Sequence, residues 1–223
     1  MIRAISGWAT AAMLGLAATA LVYLVIAFVP LADLWAAHHP GQRASAAAAA
    51  IRLSAWAALA LAGAVAAVAT GGWAGRARAN LEAFGVRSRR IAHGSVGRSP
   101  ALRRRMTALV WLLRGSLLAG CAAALLGWLA GQDNAAEIGD VRAQAAAGRP
   151  VDGALAADLF GRQLVLRLPA AALFVIAAAV AVVLVARVTS AQYGRVARLR
   201  GAAEAPDPAR RSFVLRGGGT IGA

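Results

Sequence analysis

Residues 168–186 read LPAAALFVIAAAVAVVLVA and contain no charged side chain. A helix needs about 20 apolar residues to cross the hydrocarbon core of a bilayer. This stretch forms most of an apolar run at Leu164–Ala186, and similar runs lie at Gly7–Val29, Leu53–Ala74 and Thr107–Ala130. The sequence therefore predicts an all-α integral membrane bundle of four transmembrane helices in residues 1–200, followed by a disordered tail at residues 201–223.

The composition separates this chain from soluble basic proteins. Of its 223 residues 60% are hydrophobic and 15% are charged, and all 24 basic residues are arginine, which gives a formal net charge of +15. A soluble protein with this charge would be expected to bind nucleic acid. Here the arginines flank the apolar runs, where anionic lipid headgroups are the nearest negative charges. We therefore predict membrane lipids with anionic headgroups as partners, and no nucleic acid.

The distribution of arginine predicts the orientation of the runs. Nine arginines lie between the second and third runs, seven follow the fourth run, and Arg3 precedes the first. The other two connections and their edges hold six arginines together with six of the nine acidic residues. Short loops rich in arginine are retained in the cytoplasm. We expect both termini to be cytoplasmic, in a multi-pass protein of the cell (plasma) membrane.

Tryptophan marks the edges of three runs. The aromatic belts of membrane proteins lie at the two membrane–water interfaces, where an amphipathic ring is favoured. Such belts predict tryptophans in pairs, one at each end of a span. The six tryptophans fall in this way: Trp8 with Trp35, Trp56 with Trp73, and Trp111 with Trp128. We interpret all six as interface anchors.

The runs lack the side chains of common membrane chemistry. No Asp, Glu or His occurs within any of the four runs, whereas proton- and ion-coupled carriers usually keep one there. Cys121, the only cysteine, lies inside the third run and is interpreted as a small packing residue. His38 and His39 are interpreted as solvated loop side chains rather than as a metal site shared with Asp33. The sequence predicts no enzyme activity, no cofactor and no metal.

Arginine supplies the candidate binding residues. Retention in the cytoplasm is the simplest role of the arginines between the second and third runs, and contact with anionic lipid is their functional interpretation, worth about 1 kcal/mol each. Arg114 lies about two turns inside the third run. It either snorkels to the headgroups or contacts an anion in a cytoplasmic vestibule. The predicted lipid contacts are Arg87, Arg89, Arg90, Arg98, Arg103, Arg104 and Arg105.

Small residues recur every four positions in three runs, which lets helix backbones approach closely in a membrane. Packing within the chain is the simpler use of these stripes, and a homo-oligomer or protein-partner interface is the alternative. The stripes are Gly7, Ala11 and Gly15; Gly63, Ala67, Gly71 and Gly75; and Gly127 with Gly131.

Two functions lead at this stage, and a membrane enzyme, which would need polar groups that converge in a cavity, comes third. The leading one is a non-enzymatic membrane component that interacts with lipid or with a protein partner, because the chain combines a basic face with a lack of catalytic groups. The alternative is a small channel or carrier subunit for a small solute or anion, suggested by the small-residue stripes and by Arg114.

Helix breakers predict that two helices extend beyond their runs. The helix of the second run meets no breaker before Gly85, which fits the left-handed position after a helix. Ser99–Pro100 is a favourable start for the helix of the third run, since serine caps helices and proline is tolerated in the first turn. Both helices are therefore expected to be longer than the bilayer requires.

Further cap residues lie between the third and fourth runs. Asn134 and Glu137 have the spacing of a capping box, which predicts a short helix that ends near Gly148. Asp152 is expected to cap a helix that continues into the fourth run. Pro169 would then kink this helix or mark a new start.

Three short motifs carry a resemblance to a known family. They are Ala32–Asp33–Leu34–Trp35 at the first run; Trp73, Arg76, Arg78, Asn80 and Gly85 at the second; and Arg187–Val188–Thr189 with Gln192 at the fourth. In this order they resemble, over roughly residues 10–200, the actinobacterial membrane proteins grouped as the domain of unknown function 4328 family. Members usually carry a Trp/Pro-rich segment before the third span, where this chain has arginine-rich sequence and Pro100. The resemblance implies a four-helix membrane protein and brings no established activity.

Overall fold

The structure is a computed structural model that describes residues 4–86, 91 and 99–204. No strand occurs in these residues. The helices, in chain order, are α1 (Ser6–Ala27), α2 (Val29–His38), α3 (Gln42–Ala83), α4 (Pro100–Gln132), α5 (Ala135–Ala146) and α6 (Gly153–Glu204).

Four helical segments are long and apolar enough to cross a membrane. They are Ser6–His38, which joins α1 and α2, then Gln42–Ala83, Pro100–Gln132 and Gly153–Leu199. The predicted all-α fold class with four apolar spans is thereby confirmed, and each helix is longer than the run that predicted it. Which side of a membrane the termini occupy stays a prediction. Helix α6 extends to Glu204, so the first residues of the predicted tail are helical, and residues 205–223 lie outside the described part.

Proline follows the boundary between α1 and α2, which falls at the end of the first apolar run. Helix α1 ends at Ala27, and Pro30 lies in the first turn of α2. Proline has no N–H group to donate to the carbonyl four residues earlier, which here belongs to Ile26. The guanidinium of Arg167 on α6 donates to that Ile26 carbonyl at 3.4 Å. A carbonyl released by Pro30 therefore receives a partner from another helix.

Two glycines end helices as expected. Gly85 and Gly148 have φ angles of +68° and +70°, the left-handed region that favours glycine. After α3, the Gly85 N–H donates to the carbonyl of Glu82, and the Val86 N–H donates to that of Leu81. This pair of hydrogen bonds is a Schellman motif, and it satisfies carbonyls that the helix end leaves open.

The predicted helix starts are correct in position, although their capping chemistry differs. The Asp152 carboxylate accepts hydrogen bonds from the N–H groups of Ala154 and Leu155, at 2.9 and 3.3 Å, and so caps α6. Helix α5 starts after Asn134, but the Asn134 side chain makes no cap hydrogen bond, so the predicted capping box is wrong. The Ser99 hydroxyl before α4 likewise makes none. Helix α6 continues through Pro169, and a new start there is also wrong.

The long helices pack in a row rather than in a closed square. Helix α3 packs on α1, α1 packs on α6, and α6 packs on α4, whereas α3 and α4 make no extensive contact. The basic end comprises residues 6–15, 69–83, 100–113 and 180–199, which share one apolar core. At the opposite end, α2 and α5 pack together with the start of α6.

Glycines allow close contact between two pairs of helices. Only some of the glycines in the predicted stripes have this role. A Cβ added at Gly15 would lie 2.9 Å from the Ala66 Cα, and one at Gly127 would lie 2.8 Å from the Leu166 carbonyl oxygen. These residues bring α1 close to α3 and α4 close to α6. The α3 stripe behaves differently, because a Cβ at Gly63 or Gly71 would meet nothing within 4 Å. The prediction that the α3 stripe packs within the chain is therefore wrong.

We expect Gly127→Ala to destabilise the fold, because the new methyl group would overlap the backbone of α6. Overpacking of this kind costs about 1.5 kcal/mol. Gly131→Ala is the matched control on the same helix, since a Cβ there would meet nothing within 4 Å. Unfolding titrations in mixed detergent micelles should show a loss for Gly127→Ala alone. Equal stabilities of the two variants would contradict the close approach of α4 and α6.

Candidate functional site

A buried polar cluster fastens α3 to α6 at the basic end. The Trp73 indole Nε1 donates to the Thr189 hydroxyl at 3.0 Å. The Gln192 amide donates to the Ala77 carbonyl at 3.0 Å and accepts from the Asn80 amide at 3.4 Å. Asn80 and Gln192 are almost fully buried. This cluster fixes how the last turns of α3 meet α6.

Trp73 corrects one sequence-based interpretation. Its ring is buried in the core of the basic end and its N–H group is used by Thr189, so it does not anchor the protein to an interface. Trp8 lies under the guanidinium of Arg76, with 4.5 Å between the guanidinium carbon and the ring centroid. The remaining tryptophans, Trp35, Trp56, Trp111 and Trp128, are all at least 48% exposed, as expected of interface anchors.

A basic groove runs between α4 and α6 at the basic end. Its volume is about 1010 Å³. Four arginines line it: Arg105 on α4, and Arg187, Arg195 and Arg198 on α6. Positions 187 and 198 lie on the same face of a helix, because eleven residues make about three turns, and position 195 lies about 80° to one side of position 187. Helix α6 thereby contributes three arginines to the groove.

The basic groove is amphipathic along its length. Leu109 and Val183 line it toward the middle of the bundle, and Ser99 and Arg198 line it toward the basic end. None of the described residues that line it is acidic. Its guanidinium groups therefore have no carboxylate partner within the groove, and a ligand with an apolar part and an anionic part would match both regions.

The predicted lipid-contact arginines are distributed among several places. Arg105 lines the basic groove, whereas Arg103 and Arg104 border a separate exposed pocket beside Trp111 on another face of α4. Arg87, Arg89, Arg90 and Arg98 lie outside the described residues. The three groove arginines of α6 were missed as site residues, because the sequence presents them only as part of a basic tail.

Arg114 lies on the exposed surface of α4. Its guanidinium carbon is 5.8 Å from the centroid of the Trp111 ring, one turn closer to the basic end. It lines neither the basic groove nor the apolar cavity between the helices. This position is the one expected of an arginine that snorkels toward headgroups.

An apolar cavity of about 570 Å³ lies between α1, α3, α4 and α6. Small residues of α6, Ala177, Ala178 and Ala181, leave the space, and Tyr23 and Phe174 border it with edge-on rings 4.7 Å apart. The cavity exists because α3 and α4 do not pack against one another.

An ion cluster was missed by sequence reasoning at the opposite end. The Asp33 carboxylate on α2 accepts from Arg52 of α3 through Oδ1 and from Arg142 of α5 through Oδ2, each at 2.6 Å. The Asp33 side chain is 3% exposed, and the two arginine side chains are 34% and 35% exposed. One buried carboxylate thus joins three helices. In the sequence these three residues lie outside the apolar runs and look like ordinary loop charges.

Arg167 extends the ion cluster toward a second pocket. Its guanidinium donates to the Ile26 carbonyl at 3.4 Å and lies near the charges of the cluster without an ion pair to Asp33. Arg142 and Arg167 line a pocket of about 270 Å³, together with Gln163 and the indole rings of Trp56 and Trp128. Arg142 also borders a neighbouring pocket of about 210 Å³ beside Asp33.

The candidate metal and thiol residues have other surroundings. The Nδ1 atoms of His38 and His39 face the backbone carbonyls of Leu34 and Trp35 on their own helix, at 2.9 and 3.0 Å. No group of three potential metal ligands occurs in the described residues. Cys121 is exposed on α4, so its interpretation as a packing residue is wrong.

Comparison of the chain with protein-family models, with curated proteins and with solved structures gives no match.

Proposed function

We propose that this chain is a non-enzymatic membrane protein that binds anionic phospholipid in the basic groove. The observation that carries the proposal is the arrangement of Arg105, Arg187, Arg195 and Arg198 beside apolar lining residues such as Leu109 and Val183. The arginines provide donors for a phosphate group, and the apolar residues provide a surface for the acyl chains. Four apolar helices are compatible with the membrane setting that such a ligand requires.

The chemistry of arginine supports a phosphate-bearing ligand. A guanidinium group donates paired, charge-assisted hydrogen bonds that match phosphate geometry. Arginines near an anionic membrane surface contribute about 1 kcal/mol each. Arg187 and Arg195 both line the groove and lie about two turns apart along α6. Together they can contact two neighbouring lipid headgroups.

Selective retention of lipid tests the proposal. The full chain, purified in a mild detergent, is exposed to an equal mixture of phosphatidylglycerol and phosphatidylcholine, and the retained lipids are measured by native mass spectrometry. We expect phosphatidylglycerol to be enriched among the retained lipids, and the enrichment to fall as salt screens the arginines. Retention in proportion to the mixture would contradict the proposal.

The orientation in the plasma membrane is part of the same proposal. With the basic end in the cytoplasm, the groove would face the anionic inner leaflet. A fluorescent protein fused at Ala223 should then be bright in cells, and alkaline phosphatase at the same position should be inactive. An active phosphatase fusion would contradict this orientation and place the basic end outside the cytoplasm.

Membership of the domain of unknown function 4328 family also stays a proposal. Its support is that residues of two quoted motifs meet in space, since Trp73 contacts Thr189 and Asn80 contacts Gln192. Related sequences that keep or replace these pairs together would support membership. The channel or carrier alternative stays a prediction as well, with Arg114 at the exposed face of α4.

A further inference from the structure

The opposite end of the bundle concentrates positive charge in a confined space. Arg52 and Arg142 both pair with the carboxylate of Asp33, and Arg167, which donates to the Ile26 carbonyl, adds a third positive charge close enough to interact with it. Among the described residues that line the two adjoining pockets, Asp33 is the single acid. Charges removed from water are stabilised when they are paired. The cluster therefore has an unbalanced positive charge that an anion would offset.

Two polar atoms on residues that line the pocket of about 270 Å³ lack hydrogen-bond partners among the described residues. They are the Nε atom of Arg142 and the Oε1 atom of Gln163, both shielded from solvent. Buried polar groups in native proteins are nearly always hydrogen-bonded, so each one calls for an explanation. The Arg142 Nε–H can donate to an anionic oxygen. The Gln163 oxygen can accept from a hydroxyl group.

The pocket that joins these residues has the size and walls of a small-ligand site. Its volume of about 270 Å³ far exceeds the roughly 30 Å³ that one water molecule occupies in the liquid. Arg142 and Arg167 line it together with Gln163, and Trp56 and Trp128 form apolar walls. Few polar groups set among apolar walls are typical of sites for small molecules.

We propose that this pocket binds a small oxyanion that also carries a hydroxyl group, with phosphate as the simplest example. Arg142 and Arg167 donate to the anionic oxygens, and Gln163 accepts from the hydroxyl. Asp33 holds Arg142 in place and does not itself contact the ligand. The same chemistry is present in free phosphate and in a phosphomonoester lipid headgroup. The site lies at the other end of the bundle from the basic groove and is independent of the function proposed for it.

Calorimetric titration of the full chain with inorganic phosphate tests this site. The titration is carried out in detergent at constant ionic strength, and a second arm replaces phosphate with phosphatidic acid in mixed micelles. Arg167→Gln should weaken binding at least tenfold, because it removes a charge-assisted contact. Gln163→Leu, which leaves the ion cluster intact, should weaken it severalfold. Arg162→Gln is the matched control, since Arg162 pairs with Asp158 on the exposed side of the same helix.

Phosphate binding that is weakened by Arg167→Gln and Gln163→Leu, and unchanged by Arg162→Gln, supports a site for a free anion. Binding of phosphatidic acid alone, with the same dependence on the variants, supports the site with a lipid headgroup as its ligand. The proposal is overturned if neither ligand binds, or if binding is lost only with Arg187→Gln and Arg195→Gln in the basic groove. Gln163→Leu keeps the test decisive if Arg167→Gln does not fold.

Discussion

Asp33→Asn should destabilise the protein by about 3 kcal/mol, a change of more than 100-fold in the folding equilibrium. The carboxylate is nearly inaccessible and bonds two arginines, so its neutralisation leaves both guanidinium groups without an anion. Removal of one partner from a buried ion pair typically costs 3 to 5 kcal/mol. The lower end of this range applies, because about a third of each arginine side chain is exposed.

Asp158→Asn is the control for this effect. Asp158 also pairs with an arginine, Arg162, at 2.7 Å, but its side chain is 51% exposed. Exposed pairs of this kind contribute about 0.3 kcal/mol. Both variants can be unfolded by titrating sodium dodecyl sulfate into mixed micelles. If Asp33→Asn costs no more than Asp158→Asn, the ion cluster does not hold α2, α3 and α5 together.

The spans were predictable because hydropathy depends only on local composition. A run without charges, such as residues 168–186, has one favourable environment, and a helix is the simplest way to satisfy its backbone in lipid. Glycine in the left-handed region at Gly85 and the aspartate cap at Asp152 are equally local, and both were predicted correctly.

Breaks in the backbone were harder to predict than spans. The first run ends at Val29, and hydropathy does not register that Pro30 lacks an N–H group, so the separate helix α2 was not predicted. The start of α3 at Gln42 was missed for a related reason. Residues 42–52 are rich in alanine, which favours helix formation strongly, but they are too polar at their ends to extend an apolar window.

The ion cluster could not be found from patterns along the chain. Asp33 and Arg142 are separated by 109 residues, and no periodicity relates them. An available signal was the position of Arg167, one turn inside an apolar run with no acid of its own. A charge at such a place needs a partner from elsewhere in the fold. Trp73 shows the same limit, because its partner Thr189 lies 116 residues away.

The basic groove yields the second large effect. Arg187→Gln combined with Arg195→Gln should weaken phosphatidylglycerol binding about 30-fold. Each arginine in the groove is expected to lose a hydrogen bond to the phosphate worth about 1 kcal/mol, and 2 kcal/mol corresponds to that factor. Glutamine keeps much of the side-chain length and polarity, so the change is chiefly one of charge. The fold should be little affected, because Arg187 is exposed and neither arginine forms an ion pair within the described residues.

Arg103→Gln combined with Arg104→Gln gives a matched control at the same end of the bundle. It removes the same charge from α4, but from the pocket beside Trp111 rather than from the basic groove. A general attraction between basic protein and anionic lipid would be reduced equally by both pairs. A specific site would be reduced by one pair only.

The most direct test of lipid binding in the basic groove is therefore a titration of these two double variants and the unmodified chain with phosphatidylglycerol, followed by native mass spectrometry. We expect the Arg187/Arg195 variant to bind about 30-fold more weakly than the unmodified chain. The Arg103/Arg104 variant should bind within a factor of about three of it, since scattered surface charges contribute little in salt. Equal losses for the two variants, or no loss for either, would contradict lipid binding in the groove between α4 and α6.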